Sequence, residues 1–169
     1  DDMVLDDEAS KAIADGSGPY LGSFKPTEAL SGFDSEEMKG EWTLYIYNHS
    51  SGGSNVSKWS LIIESDNSTP KDPPTISGTE YKGSSFSVSG QQVTRGTLTI
   101  SDTGTITDIN VKMSGSSYIS SLDISLISPY GTAVKLVQQG ALSGNAYDDM
   151  VLDDEASKAI ADGSVPYLG

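Results

Sequence analysis

Cysteine is absent from this 169-residue chain, histidine occurs once, and Lys plus Arg number 10 against 24 Asp plus Glu. Without cysteine there can be no disulfide, no thiolate zinc site and no cysteine nucleophile. The scarcity of basic residues argues against phosphate backbones and anionic membrane surfaces as partners, because both are held by clustered Lys and Arg. A formal net charge of −14 points to cations instead. No apolar run approaches the roughly 18 residues of a membrane-crossing helix. The lone His49 sits in a Gly/Ser-rich turn with no acid at a nearby position to orient it, whereas a Ser-His-Asp triad needs an oriented imidazole. A Gly-x-Ser-x-Gly elbow, a His-Glu-x-x-His run and a P-loop are also missing. A hydrolase working through paired carboxylates would need acids facing each other across a cleft, whereas these cluster in one segment. The sequence therefore reads as non-catalytic.

What the chain does have is a duplicated segment. Residues 1–22 and 148–169 are identical except for Gly18 against Val165, and each copy carries six carboxylates and one lysine, so most of the net charge belongs to this repeat. A folded domain has one socket for such a segment. The expected origin is a tandem array, with residues 1–65 the C-terminal part of one repeat, 66–75 a linker and 76–169 the N-terminal part of the next. Length sets a prior of a single domain. With 18 Gly and 36% apolar residues, the composition suits short strands joined by turns, so an all-β fold is expected.

In chain order, Phe24, Leu30 and Phe33 are spaced to anchor a surface loop. Trp42, Leu44 and Ile46 alternate with Thr43, Tyr45 and Tyr47, the period of a half-buried strand. Trp59, Leu61 and Ile63 repeat the pattern after a Gly/Ser turn, and the two runs are expected to form a hairpin with the tryptophans on paired strands. Asp66–Thr75 contains three prolines and reads as an extended linker that spans at most roughly 35 Å. Beyond it come an edge strand in TEYKGSSFSVS, a strand around Leu98 and Ile100, and one through Ile109, Val111 and Met113. A second hairpin is expected where Ser128-Pro129-Tyr130-Gly131-Thr132 turns Leu122, Ile124 and Leu126 back into Val134, Leu136 and Val137. Met150–Leu152 form a short apolar strand. The acids that follow suit the start of one short helix per copy, the sole helices expected, stopped at Asp162-Gly163.

The run from Ile106 through SSLDISLISPYGTAVKL, then YDDMVLDDEA, PYLGSFKPTEALSGF, GEWTLYIYN and WSLII resembles, in permuted order, the P domain (homo B domain) of proprotein convertases and bacterial subtilases. The resemblance covers nearly all of the chain outside the linker. It implies a jelly-roll-like β-sandwich, with one short helix in the acidic segment, that stabilises or orients an adjacent subtilisin-like protease and binds calcium. Residues 76–169 would supply the first part of the domain and 23–65 the last. They would meet within one chain by circular permutation or between chains by domain swapping, giving a homo-oligomer by segment exchange. The chain departs from the family pattern at Ser121 and Gly52, where acids are usual, and at Ser116-Ser117, where a histidine is usual.

Asp148, Asp149, Asp153, Asp154 and Glu155, with their copies Asp1, Asp2, Asp6, Asp7 and Glu8, form the candidate metal site. Calcium takes six to eight oxygens, and several carboxylates near one turn can supply them; the same acids also suit ordinary helix capping. Asp102, Asp108 and Asp123 read as turn or exposed strand positions, and Trp42 and Trp59 as packing rather than a sugar platform. The sequons at Asn48, Asn55 and Asn67 would matter only in a eukaryotic secretory pathway. The expected role is an accessory module of an exported bacterial protein, secreted or at the cell surface, partnered by the protease or repeats of its parent chain. The alternative is a carbohydrate-binding or self-binding sandwich.

Overall fold

A computed structural model describes residues 20–67, 78–116, 119–142 and 146–154. The strands are β1 (Tyr20–Phe24), β2 (Gly40–Asn48), β3 (Ser54–Ser65), β4 (Thr79–Gly83), β5 (Phe86–Val88), β6 (Val93–Ile100), β7 (Ile106–Ser116), β8 (Leu122–Ile127), β9 (Ala133–Val137) and β10 (Ala146–Leu152). They form an all-β sandwich. One sheet has the order β1-β10-β7-β3-β4 with β5 paired to β3, and the other runs β6-β2-β8-β9. Both sheets draw strands from either side of the proline-rich segment, so neither closes without the other part of the chain.

Alternation dictates which face each strand turns inward. On β2, Trp42, Leu44 and Ile46 are buried; on β8, so are Leu122, Ile124 and Leu126. On β3 the inward set is Val56, Trp59, Leu61 and Ile63. The gap from Val56 to Trp59 is one residue too long for strict alternation, and the ladder to β7 shifts register between Val56 and Lys58 to absorb it. Phe24 on β1, and Leu30 and Phe33 in a 3-10 turn (Leu30–Phe33), are fully buried, with Phe33 edge-on to Trp42 at 5.2 Å between centroids.

The expected hairpin after β2 does not form. β2 pairs with β6 and β8, whereas β3 pairs with β4, β5 and β7 in the opposite sheet. Residues 49–53 therefore carry the chain between sheets, and Trp42 and Trp59 stand in opposite layers rather than on paired strands. Asn48 holds the crossing together. Its fully buried side chain donates to Gly52 O and accepts from Ser50 N and the Ser121 hydroxyl. That burial removes Asn48 as a glycan acceptor. The second hairpin does form: β8 and β9 are antiparallel neighbours, and Gly131, at φ 88°, closes the turn by donating to Ser128 O.

At the proline-rich segment, Asp66 and Asn67 are fixed to the 103–105 loop through Asp66 N to Thr105 O and Asn67 Nδ2 to Thr103 O. The rest of that segment, and both expected acidic helices, lie outside the described residues. Within the described residues the helical turns are 3-10, at Leu30–Phe33 and Ile119–Ser121.

Candidate metal centre

β7 is apolar on its inner face but places Asp108 and Asn110 two residues apart on the outer one, alternating with buried Ile109 and Val111. β10 runs antiparallel beside it with Leu152 opposite Val111, so the next step of the ladder brings Asp153 alongside Asn110. Asp153 is buried, and its backbone N–H donates to Phe24 O on β1. Asp154 then turns toward the 3-10 segment, where its Oδ2 accepts from Ser31 N at 2.8 Å. On the other side of β7, Glu64 of β3 lies opposite Asp108.

These carboxylates sense one another. Burial first, and then the charges of Asp153, Asp154 and Glu64, push the Asp108 carboxyl up to about 7, against a smaller downward pull from the Ile109 backbone. Asp34 is also raised, by burial and by Asp154. Asn110 donates from Nδ2 to Asp108 Oδ2 at 2.8 Å, which directs its Oδ1 away from Asp108. That Oδ1 is buried with no hydrogen-bond partner, on a side chain only 4% exposed. An orphaned amide oxygen beside mutually repelling carboxylates is the donor set a hard cation takes. Asp108, Asn110, Asp153 and Asp154 fit calcium in kind. Among the described residues, however, no group of three or more Asp, Glu, His or Cys side chains is placed to hold a metal ion.

Of the acids expected from the sequence, Asp153 and Asp154 are thus at this site. Asp148 and Asp149 are not: they lie within β10, at an irregularity where the register to both neighbours shifts between Tyr147 and Met150. Strand rise puts the Asp149 backbone roughly 13 Å from that of Asp153. Glu155, Asp1, Asp2, Asp6, Asp7 and Glu8 lie outside the described residues. Asp108, Asn110, Asp34 and Glu64 were not expected. Asp108 reads locally as a turn former, and the signal that finds it is parity, since Asp108 and Asn110 share the outer face of an otherwise apolar strand.

Two other polar sites are present. His49, which has no acid near it in sequence, follows β2 and meets Asp123 on the neighbouring strand β8, with Nε2 2.7 Å from Asp123 Oδ2 and its ring edge-on to Tyr47. Burial alone would raise Asp123, but hydrogen bonds from His49 and Gln139 N, together with Lys135, hold it below the usual carboxylate range. On the outer face of the larger sheet, Lys58, Lys82, Lys112 and Glu80 line an open groove of about 380 Å³. Asp102 accepts from the Tyr81 hydroxyl, and both tryptophans are buried.

Comparison of the chain with protein-family models, with curated proteins and with solved structures returns no match.

Proposed function

We propose that this is a non-catalytic β-sandwich module of the P-domain kind, from an exported bacterial protein, that stabilises or orients a neighbouring subtilisin-like protease and is itself tied down by calcium at the Asp108–Asn110–Asp153–Asp154 site. The observation that carries the calcium part is the buried, unpartnered Asn110 Oδ1 beside an Asp108 carboxyl that burial first, and then its acidic neighbours, make costly to ionise. A divalent cation would take up that oxygen and neutralise the repulsion together. The accessory role draws on the resemblance and on where the aromatics are. Trp42 and Trp59 are in the core, Tyr45 and Tyr47 on the outer face of β2 are half-buried, and the large apolar side chain fully exposed among the described residues is Tyr130, an arrangement that favours the accessory role over a sugar platform.

A thermal melt in calcium and in chelator tests the reading. Calcium at one hundred times its dissociation constant should add about 2.7 kcal/mol. Asp153→Asn should remove most of that gain. Identical melts with and without calcium would take the ion out of the account.

A further inference from the structure

The edge position beside β10 is filled in parallel by β1, with Tyr20 opposite Tyr147, Gly22 opposite Met150 and Phe24 opposite Leu152. Residues 148–152 of β10 belong to the second copy of the repeated segment and Tyr20–Gly22 to the first, so the sandwich uses the head of one copy and the tail of the other. The tail of the second copy, Pro166-Tyr167-Leu168-Gly169, repeats Pro19-Tyr20-Leu21-Gly22 residue for residue. Whatever backbone and side-chain contacts favour Tyr20–Gly22 against β10 are equally open to Tyr167–Gly169.

The second tail also has the reach. Parallel neighbours need a crossover of about a dozen residues or more, and the stretch from Asp153 to Pro166 meets that length. A tether of that length would present Tyr167–Gly169 to β10 at an effective concentration of order millimolar. Its rival is held by Phe24, which is fully buried opposite Leu152.

We propose that the outer edge of β10 is a docking site with two occupants from one chain, and that Tyr167–Gly169 exchanges with Tyr20–Gly22 there while Ser23 and Phe24 stay in place. The exchange releases residues 1–22 as an arm that carries six carboxylates and a second Asp-Asp-Met-Val-Leu strand sequence. The inference rests on the fold and the repeat, and stands whether or not calcium binds.

Because the chain has no cysteine, three substitutions read the competition directly. Tyr147→Cys places a thiol on the receiving strand, and Tyr20→Cys and Tyr167→Cys place one on each competitor. Directly opposed strand positions lie within disulfide range. After equilibration in a glutathione buffer and alkylation, peptide mapping should find both the 147–20 and the 147–167 disulfide within one molecule, in amounts within about tenfold of each other. Adding Leu21→Pro should raise the 147–167 share several-fold, and adding Leu168→Pro should abolish it. A 147–20 disulfide alone, in the parent and in the Leu21→Pro background, overturns the proposal; so does a 147–167 disulfide found only between chains. Hydrogen exchange on the unsubstituted chain is an independent check. Partial protection at both 20–22 and 167–169 supports exchange, and protection confined to 20–22 contradicts it.

Discussion

A carboxyl on the outer face of a strand is ordinarily ionised at neutral pH, but burial, and after it the charges of Asp153, Asp154 and Glu64, hold Asp108 up at about 7. Its folded-state value lies above its unfolded one, so the native state binds the extra proton and stability falls as pH rises from about 4 to about 7. Asp34, raised by burial and by Asp154, acts in the same direction. Asp123 is lowered and acts the opposite way, with its contribution lost only on acidification below the ordinary carboxylate range. In chelator the melting temperature should therefore be higher at pH 5 than at pH 8. Asp108→Asn should flatten that slope and stabilise the pH 8 form by about 1 to 3 kcal/mol, after allowance for partial exposure. Calcium needs the carboxylate deprotonated, so its stabilising effect should be larger at pH 8 than at pH 5.5. Equal slopes for wild type and Asp108→Asn in pH-dependent melts would remove Asp108 from this role. A second residue-scale test concerns Gly83, opposite Trp59 on β4: a Cβ there would fall 2.1 to 2.6 Å from the indole ring. Gly83→Ala should cost about 1 to 3 kcal/mol by overpacking, and Trp59→Ala about 3 to 5 by leaving a cavity; both are read in denaturant titrations.

At the scale of elements, what a strand shows in sequence is its face, not its neighbour. The alternation of Trp42, Leu44 and Ile46, and of Trp59, Leu61 and Ile63, marks the buried positions, as burial in the structure agrees. A Gly/Ser turn between two such strands fits a hairpin and a sheet-to-sheet crossing equally well, and the deciding group is the Asn48 amide, buried against Ser50, Gly52 and Ser121. Asn48→Ala leaves those groups unpaired and should cost about 1 to 3 kcal/mol in chemical unfolding, more than Asn67→Ala at its exposed turn. The β8–β9 turn was legible because Ser-Pro-x-Gly-Thr encodes its own geometry, down to the left-handed Gly131. The acidic site was half legible. Asp153 and Asp154 are contiguous with the conspicuous acidic run. Asp108, Asn110, Asp34 and Glu64 come from three other places in the chain and meet them only through the β3–β7–β10 ladder and the 3-10 turn.

For the whole molecule, the physical claim is that residues on the two sides of the proline-rich segment make one core. β3 pairs along most of its length with β7, and β2 is enclosed by β6 and β8, so each sheet is incomplete without strands from both parts. Net charge of −14 works against compaction, so the proposed cation beside Asp108 and Asp153 would stabilise the fold beyond its own ligands. The most direct measurement is a cut. With a protease site placed within residues 68–77 and cleaved in the folded protein, the two pieces should elute together and unfold in a single transition by both tryptophan fluorescence and circular dichroism. Pieces that separate under native conditions, each with its own cooperative transition, would contradict the account.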